Sequence, residues 1–174
     1  MSDISVRALG EDEWQTYRSV RLEALQESPD AFVADHTDEA DEGEDFWRAR
    51  MARSARLIAE VADEDRPVGV VSIGDTADED AEDAGQLFGL WVAPQWRGRS
   101  VAASLVRRGS EVALERGVRH LYYWVGTENA RGVAFASSFG FRPTDDRRPM
   151  RTKKDDPEAE QEIAMVLALG EDRR

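Results

Sequence analysis

The stretch 87-LFGLWVAPQWRGRSVAASLVRRGSEVALERG-117 constrains this chain more than any other. An apolar run, 86-QLFGLWV-92, reads as a strand and stops at Pro94. A short turn carrying Arg97 and Arg99 follows. From about Gly98 to Arg116 the spacing becomes helical, with Val101, Leu105, Gly109, Val112 and Ala113 on one face, and Gly117 supplies a C-cap. A buried strand that passes through a tight turn straight into a helix belongs to α/β architectures.

The junction has chemistry of its own. It points backbone N–H groups and the positive end of a helix dipole at whatever lies in front, and phosphate is a common occupant. Arg97 and Arg99 add charge and donors, while Gly98, Ser100, Ala102 and Ala103 are small enough to let a ligand approach the backbone. On these residues alone, a plain strand–helix turn with solvated arginines stays open as the alternative. The dinucleotide fingerprint G-x-G-x-x-G is absent, and so is the phosphate-binding pattern with its lysine.

The rest of the chain fits the same class. Residues 4-ISVRAL-9 alternate as a half-buried strand, and 11-EDEWQTYRSVRLEALQES-28 spaces Trp14, Tyr17, Val20, Ala24 and Leu25 as a helix that ends at Ser28-Pro29. After an acidic loop, 35-DHTDEADEGED-45, a short helix is expected over 45-DFWRARMA-52. The strands 56-RLIAEVA-62 and 67-PVGVVSIG-74 are joined by the polar turn 63-DEDR-66, a hairpin. A second acidic loop, 75-DTADEDAED-83, precedes the strand at 86. Beyond Gly117 come a strand at 119-RHLYYWV-125, a short helix from Asn129 to about Phe139, 141-FRPT-144, a basic loop 147-RRPMRTKK-154, and a closing strand 162-EIAMVLAL-169. The order β-α-α-β-β-β-α-β-α-β-β, with no repeat and no linker, predicts one mixed α/β domain over 1–174.

Composition narrows the function. The 174 residues include 36 acidic and 23 basic side chains, a net charge of -13, two histidines and no cysteine. A chain without cysteine has no disulfide, no thiolate nucleophile and no thiolate-ligated metal. With only His36 and His120, a multi-histidine metal site is not expected, and no metal is assigned. The charge repels nucleic-acid phosphates, so no nucleic acid partner is expected. No apolar run approaches the ~18 residues of a membrane span, and the first residues lack a signal peptide's basic and apolar blocks, which predicts a cytoplasmic protein with no membrane partner.

Two motifs point to a family. The segment 92-VAPQWRGRSVA-102 matches R/Q-x-x-G-x-G/A after a V-x-P strand end, with Arg97, Ser100 and Ala102 in the three specified slots. Downstream, 129-NARGVAFASSFGF-141 matches N-x-x-A-x-x-Φ-Y-x-x-x-G-F, where Φ is apolar. Together they resemble the GNAT superfamily of acetyl-CoA-dependent N-acetyltransferases, and the element order agrees over the whole chain. The resemblance implies a mixed central sheet of about seven strands flanked by about four helices, with the fourth and fifth strands splayed to hold the cofactor. It implies that backbone groups of Leu90, Trp91 and Val92 bind the pantetheine arm and acetyl carbonyl. Backbone N–H groups from Arg97 through Gly98, Arg99, Ser100, Val101 and Ala102 would cradle the pyrophosphate, and Asn129 would line the other side of the cofactor.

Two departures matter. The middle glycine of the signature is Ser100, and serine is expected to tolerate the helical conformation of a helix N-terminus. The tyrosine with which many members protonate the departing thiolate falls at Ala136, which has no proton to give. Water, Ser137 or Ser138 would have to replace it, or the thiolate would leave unprotonated.

What the resemblance implies is an N-acetyltransferase that moves acetyl from acetyl-CoA to a primary amine by direct attack, on a small-molecule or peptide acceptor. The alternative, motivated by Ala136, is an acyl-CoA-binding sensor or regulatory module of weak activity. Dimers are common in the family, which leaves a homodimer open. No residue is assigned as the general base. Glu128 reads as an exposed loop glutamate, His120 begins its strand away from the chemistry, and His36 reads as solvated in the acidic loop. Of the alternating Tyr122 and Trp124, or Leu121, Tyr123 and Val125, one set faces the core. Candidates for the acceptor pocket are Phe32, Trp47 and the basic loop with Arg147, Arg148, Arg151, Lys153 and Lys154.

Overall fold

The computed structural model describes residues 3–29, 32, 35–76, 82–149 and 160–170. Among the described residues, seven strands form one mixed sheet in the order β1-β2-β3-β4-β5-β7-β6, accompanied by five helices. The chain divides into two compact units, Met1–Gly74 with Leu87–Val112, and Asp75–Gln86 with Ala113–Arg174.

In the first unit, β1 (Ile4–Ala8) pairs antiparallel with β2 (Ala55–Val61), from Ile4 opposite Val61 to Ala8 opposite Leu57. The expected hairpin joins β2 to β3 (Gly69–Asp75), with Ala55 opposite Ile73 and Ala59 opposite Gly69. Every residue of β3 but Asp75 is buried, which is why this strand reads as a continuous apolar run. Helix α1 (Trp14–Glu27) buries Tyr17, Val20, Ala24 and Leu25, the stripe expected from its spacing. Helix α3 (Glu44–Arg53) buries Trp47 and Met51, one turn apart.

The acidic stretch between these helices is not wholly loop. Residues His36–Ala40 form α2. Asp35 caps it by accepting the N–H groups of Thr37 at 2.8 Å and Asp38 at 3.3 Å. Glu39 points inward and is 4% exposed, because it accepts hydrogen bonds from both Arg21 and Arg50. A carboxylate with two guanidinium partners can be buried; the sequence pattern alone marks it as solvated.

Helix α4 (Val101–Glu115) sets Val101, Leu105 and Val106 in the core, each worth roughly 1.5–3 kcal/mol of burial. It sits close to the sheet. A Cβ on Gly69 would meet Leu105 Cδ1 at 2.9 Å, and one on Gly109 would meet Ile73 Cδ1 at 3.2 Å.

The start of β4 (Ala84–Val92), up to Gln86, belongs to the second unit and runs parallel to β5 (His120–Gly126), with Ala84 opposite His120 and Gln86 opposite Tyr122. Strand β7 (Gln161–Ala168) pairs antiparallel with β5, and β6 (Arg142–Pro149) pairs antiparallel with β7. The basic segment expected as a loop from Arg147 therefore begins as strand: Arg147 faces Ile163 and Arg148 faces Glu162. A bulge between Pro143 and Arg147 breaks the pattern, and β6 is an edge strand, where proline is tolerated. Arg151, Lys153 and Lys154 lie outside the described residues. Helix α5 (Ala130–Phe139) is capped by Asn129, whose side-chain oxygen accepts the Gly132 N–H at 3.0 Å, and it ends at Gly140 with φ 117°.

Candidate active site

The end of β4 and the turn into α4 form one network in the first unit. After Val92, residues Pro94–Trp96 make a single 3-10 turn, in which the Trp96 N–H donates to Ala93 and the Arg97 N–H to Pro94. The Arg97 side chain turns back: Nε donates to the Val92 carbonyl at 3.0 Å, and Nη2 pairs with Glu27. Glu27 also accepts the Trp91 indole N–H at 3.3 Å. Hydrogen bonding from the Ser28 hydroxyl holds the Glu27 carboxyl below the usual range; partial burial opposes this, and Arg97 and Trp91 reinforce it. Glu27, at the last residue of α1, thus fastens that helix to the end of β4 and to the turn. Nothing in the sequence marks this role, because the partners are 64 and 70 residues away.

The turn itself departs from expectation at Ser100. Gly98 has φ 77° and Ser100 φ 71°, so both are left-handed, and Ser100 is the only such residue other than glycine among those described. The serine in the signature's glycine slot adopts a left-handed conformation, the one that favours glycine, instead of a helical one. Two left-handed residues with one between them curl successive N–H groups toward a common point, a concavity suited to an anion. The Arg97 N–H is engaged by Pro94, so the free run starts one residue later. Among the described residues, the N–H groups from Gly98 to Ala103 find no well-formed acceptor. The carbonyl of Ser100 accepts both the N–H and the hydroxyl of Ser104, at 3.0 and 2.9 Å, which starts α4. Gly98, Arg99 and Ser100 are exposed, and Arg99 lies over the Trp96 ring at 5.2 Å. An exposed loop of unpaired donors with small side chains fits a diphosphate.

Within β4, three residues before Val92, Gly89 leaves the extended conformation with φ 65°. Phe88 and Gly89 border a cavity of about 100 Å³, whose wall includes Arg21, Arg50, Arg53 and Arg56. Sequence reading missed these arginines, which are scattered over two helices and a strand. Of the acceptor-pocket candidates, Trp47 is fully buried against Tyr17 and Phe46, and it does not reach this cavity. Phe32 lies under the Arg21 guanidinium at 5.0 Å.

The remaining sequence candidates lie in the second unit. Ala136 is fully buried, and its carbonyl accepts the Phe141 N–H at 3.0 Å. The Ser138 hydroxyl donates back to Phe135, and Ser137 is exposed. On β5, Leu121 and Val125 are buried, while Tyr122, Tyr123 and Trp124 are half-buried. Burial pushes the Tyr123 phenol up, with Glu162 adding to the effect. Arg148 covers Trp124 at 4.1 Å. Glu128 is exposed, and its N–H donates to Glu160. His120 is half-exposed beside Asp83 at 3.4 Å. Among the described residues, no group of three His, Asp or Glu is placed to hold a metal ion, and no helix is long and apolar enough to cross a membrane.

Comparison with known proteins bears on the family. An uncharacterized N-acetyltransferase of Methanocaldococcus jannaschii is 27% identical over 97 residues, covering 55% of this chain and 42% of its own length. The chain therefore spans about two-fifths of that relative. An acetyltransferase of the GNAT family from Streptococcus pneumoniae superposes with a TM-score of 0.76 at 15% identity, over 97% of this chain and 100% of that one. A putative acetyltransferase from Salmonella typhimurium, solved with acetyl-CoA, gives 0.71 at 18% identity, over 97% and 95%. The model of the acetyltransferase (GNAT) family matches residues 11–141, from the first turn ahead of α1 to the end of the second motif. With three-quarters of its length inside that match, the chain belongs to the GNAT family of acetyltransferases.

Proposed function

We propose that this chain, acting as one domain over 1–174, transfers acetyl from acetyl-CoA to a primary amine of a small-molecule or peptide acceptor. The observation that carries the reading is the turn ahead of α4, where left-handed Gly98 and Ser100 leave consecutive N–H groups unpaired at the place of the family signature. The similar Salmonella protein, solved with acetyl-CoA, supports the cofactor class. Gly98, Arg99, Ser100, Val101 and Ala102 bind the pyrophosphate through their backbone. Backbone groups of Leu90, Trp91 and Val92 hold the pantetheine arm and acetyl carbonyl. Arg97 acts through its side chain, by tying Val92 to Glu27 and so fixing where the strand ends and the turn begins.

When bound, acetyl-CoA supplies an activated thioester. The acceptor amine, with a reference pKa near ~10.4 for a lysine-type ammonium, must lose a proton before it attacks. The Val92 N–H is the donor assigned to the oxyanion. The departing thiolate, with a pKa of roughly 8.5 by analogy with cysteine, is not far from stable near neutrality, so turnover without a tyrosine at Ala136 is feasible.

Thermal unfolding with and without acetyl-CoA tests the reading. At ~100 times its dissociation constant a ligand stabilises by about 2.7 kcal/mol, and in a chain of this length each kcal/mol raises Tm by about 2–4 °C. We expect a rise of that size, followed by thiol release with a primary amine. No rise at millimolar acetyl-CoA would overturn the cofactor site. A rise without thiol release over a broad amine panel is the behaviour of a sensor.

A further inference from the structure

The cavity beside Gly89 is strongly cationic in a chain whose net charge is -13. Four guanidiniums border it, and the only carboxylate that reaches any of them among the described residues is Glu39, which pairs with Arg21 and Arg50. Four positive charges against one negative leave an excess of three. Arg53 has no ion-pair partner among the described residues and is exposed. Arg56 has none either, although it is 2% exposed.

Arg56 is the unusual member. Burying a cation without a counter-ion is costly, and such a group normally carries a paired carboxylate. Here its hydrogen bonds go to neutral groups: Nε and Nη2 donate to the Arg50 carbonyl at 3.3 and 3.2 Å, and Nη1 donates to the Ser72 hydroxyl at 2.7 Å. Its plane lies near the rings of Tyr17, at 4.8 Å, and Phe88, at 5.4 Å. A guanidinium has five N–H donors. Three are engaged, which leaves one N–H on each terminal nitrogen to donate to a carboxylate. Burial, together with Arg50, Arg53 and Arg21, pushes its pKa down to about 10, so it is still charged at neutral pH.

From these observations we infer that the cavity bordered by Arg53 and Arg56 binds a carboxylate on the acceptor, so that the acceptor is a small amine carrying its own carboxylate. The inference rests on the acetyl-transfer reading for its amine half, because Phe88 and Gly89 lead directly into Leu90–Val92. At ~3.3 Å per strand residue, Gly89 and Val92 are roughly 10 Å apart, so the spacer between amine and carboxylate is of that order.

The test uses the full chain and separates the two readings. Succinate, its neutral diamide and inorganic phosphate are compared as probes in thermal unfolding, each with and without acetyl-CoA. We expect succinate to raise Tm by several degrees and the diamide to leave it unchanged. Arg53→Glu, an exposed substitution that spares the core, should cut the succinate shift by at least half and leave the acetyl-CoA shift intact. Amines bearing a carboxylate should then exceed their carboxamides at least tenfold in kcat/KM, with Arg53→Glu raising KM more than it lowers kcat. Equal shifts from succinate and diamide would overturn the site. A larger shift from phosphate would overturn the carboxylate assignment. If neither member of any amine pair turns over, or the carboxamides do as well, the assignment to an acceptor falls. An acetyl-CoA shift that is absent while the succinate shift persists sinks the transfer reading and the acceptor assignment, and leaves the carboxylate site standing.

Discussion

Ser100 carries a backbone conformation that costs an L-residue about 1–2 kcal/mol, and its hydroxyl has no partner among the described residues to offset that cost. Replacing it with glycine relieves the strain and adds unfolded-state entropy worth roughly 0.4–1 kcal/mol in the opposite direction. Ser100→Gly should therefore stabilise by about 0.5–1 kcal/mol, read as a rise of a few degrees in Tm, with acetyl-CoA binding retained. A fall in Tm would mean that the serine side chain anchors the turn. The sequence placed Ser100 in the glycine slot of the motif, yet it could not show why the slot prefers glycine. The reason is a dihedral angle of 71°, which a string of residue types does not contain.

The seating of α4 on the sheet depends on two glycines with different surroundings. At Gly69 a Cβ would meet Leu105 Cδ1 at 2.9 Å and the Trp91 carbonyl at 3.1 Å, and the carbonyl belongs to the backbone at the end of β4. At Gly109 the nearest atom is the flexible end of Ile73, at 3.2 Å, and the position is helical. Gly69→Ala should cost about 1–3 kcal/mol through overpacking and loosen the end of β4. Gly109→Ala should be nearly neutral, since ~1 kcal/mol of helix propensity offsets a smaller clash. Thermal unfolding of the two variants side by side checks the contrast; equal losses would refute it. Helices α1 and α4 were legible because their apolar residues repeat at the helical period and their burial follows it. Helix α2 was not, since what holds its inward face is Glu39 against Arg21 and Arg50, 18 and 11 residues away. Strand β6 was legible only at its start, in 141-FRPT-144; the rest, DDRRP, has no apolar alternation to read and exists through its pairing with β7. The turn proposed for the cofactor could be found from its motif because it is one contiguous segment. The arginine cavity draws on α1, α3 and β2, so only the folded chain brings its members together.

Across the molecule, 36 acidic residues face 23 basic ones, and stability as a function of pH follows from how the native state holds its carboxylates. Glu39 is the most consequential. Burial raises its pKa, but hydrogen bonds and charge from Arg21 and Arg50 outweigh burial and hold the carboxyl below its ordinary value. Glu13 is lowered first by the Gly10 N–H and then by Arg7, and Glu27 by Ser28, with Arg97 and Trp91 adding to it. All three shifts have the same sign. Each group binds its proton more readily in the unfolded chain than in the native one, so its stabilisation is complete above the unfolded value near 4.5 and is lost as pH falls through the lower native value. Falling pH also reduces the net charge toward zero at about 4.6, which relieves self-repulsion, so the acid loss should begin only below that point. Tm measured from pH 7 to pH 3 should therefore hold steady down to about pH 4.5 and then drop. Glu39→Gln should start about 3 kcal/mol lower at pH 7, because it leaves two guanidiniums without their partner, and its acid limb should be shallower than that of the wild type. Parallel acid limbs in the two proteins would show that Glu39 is not the carboxylate whose protonation unfolds the chain.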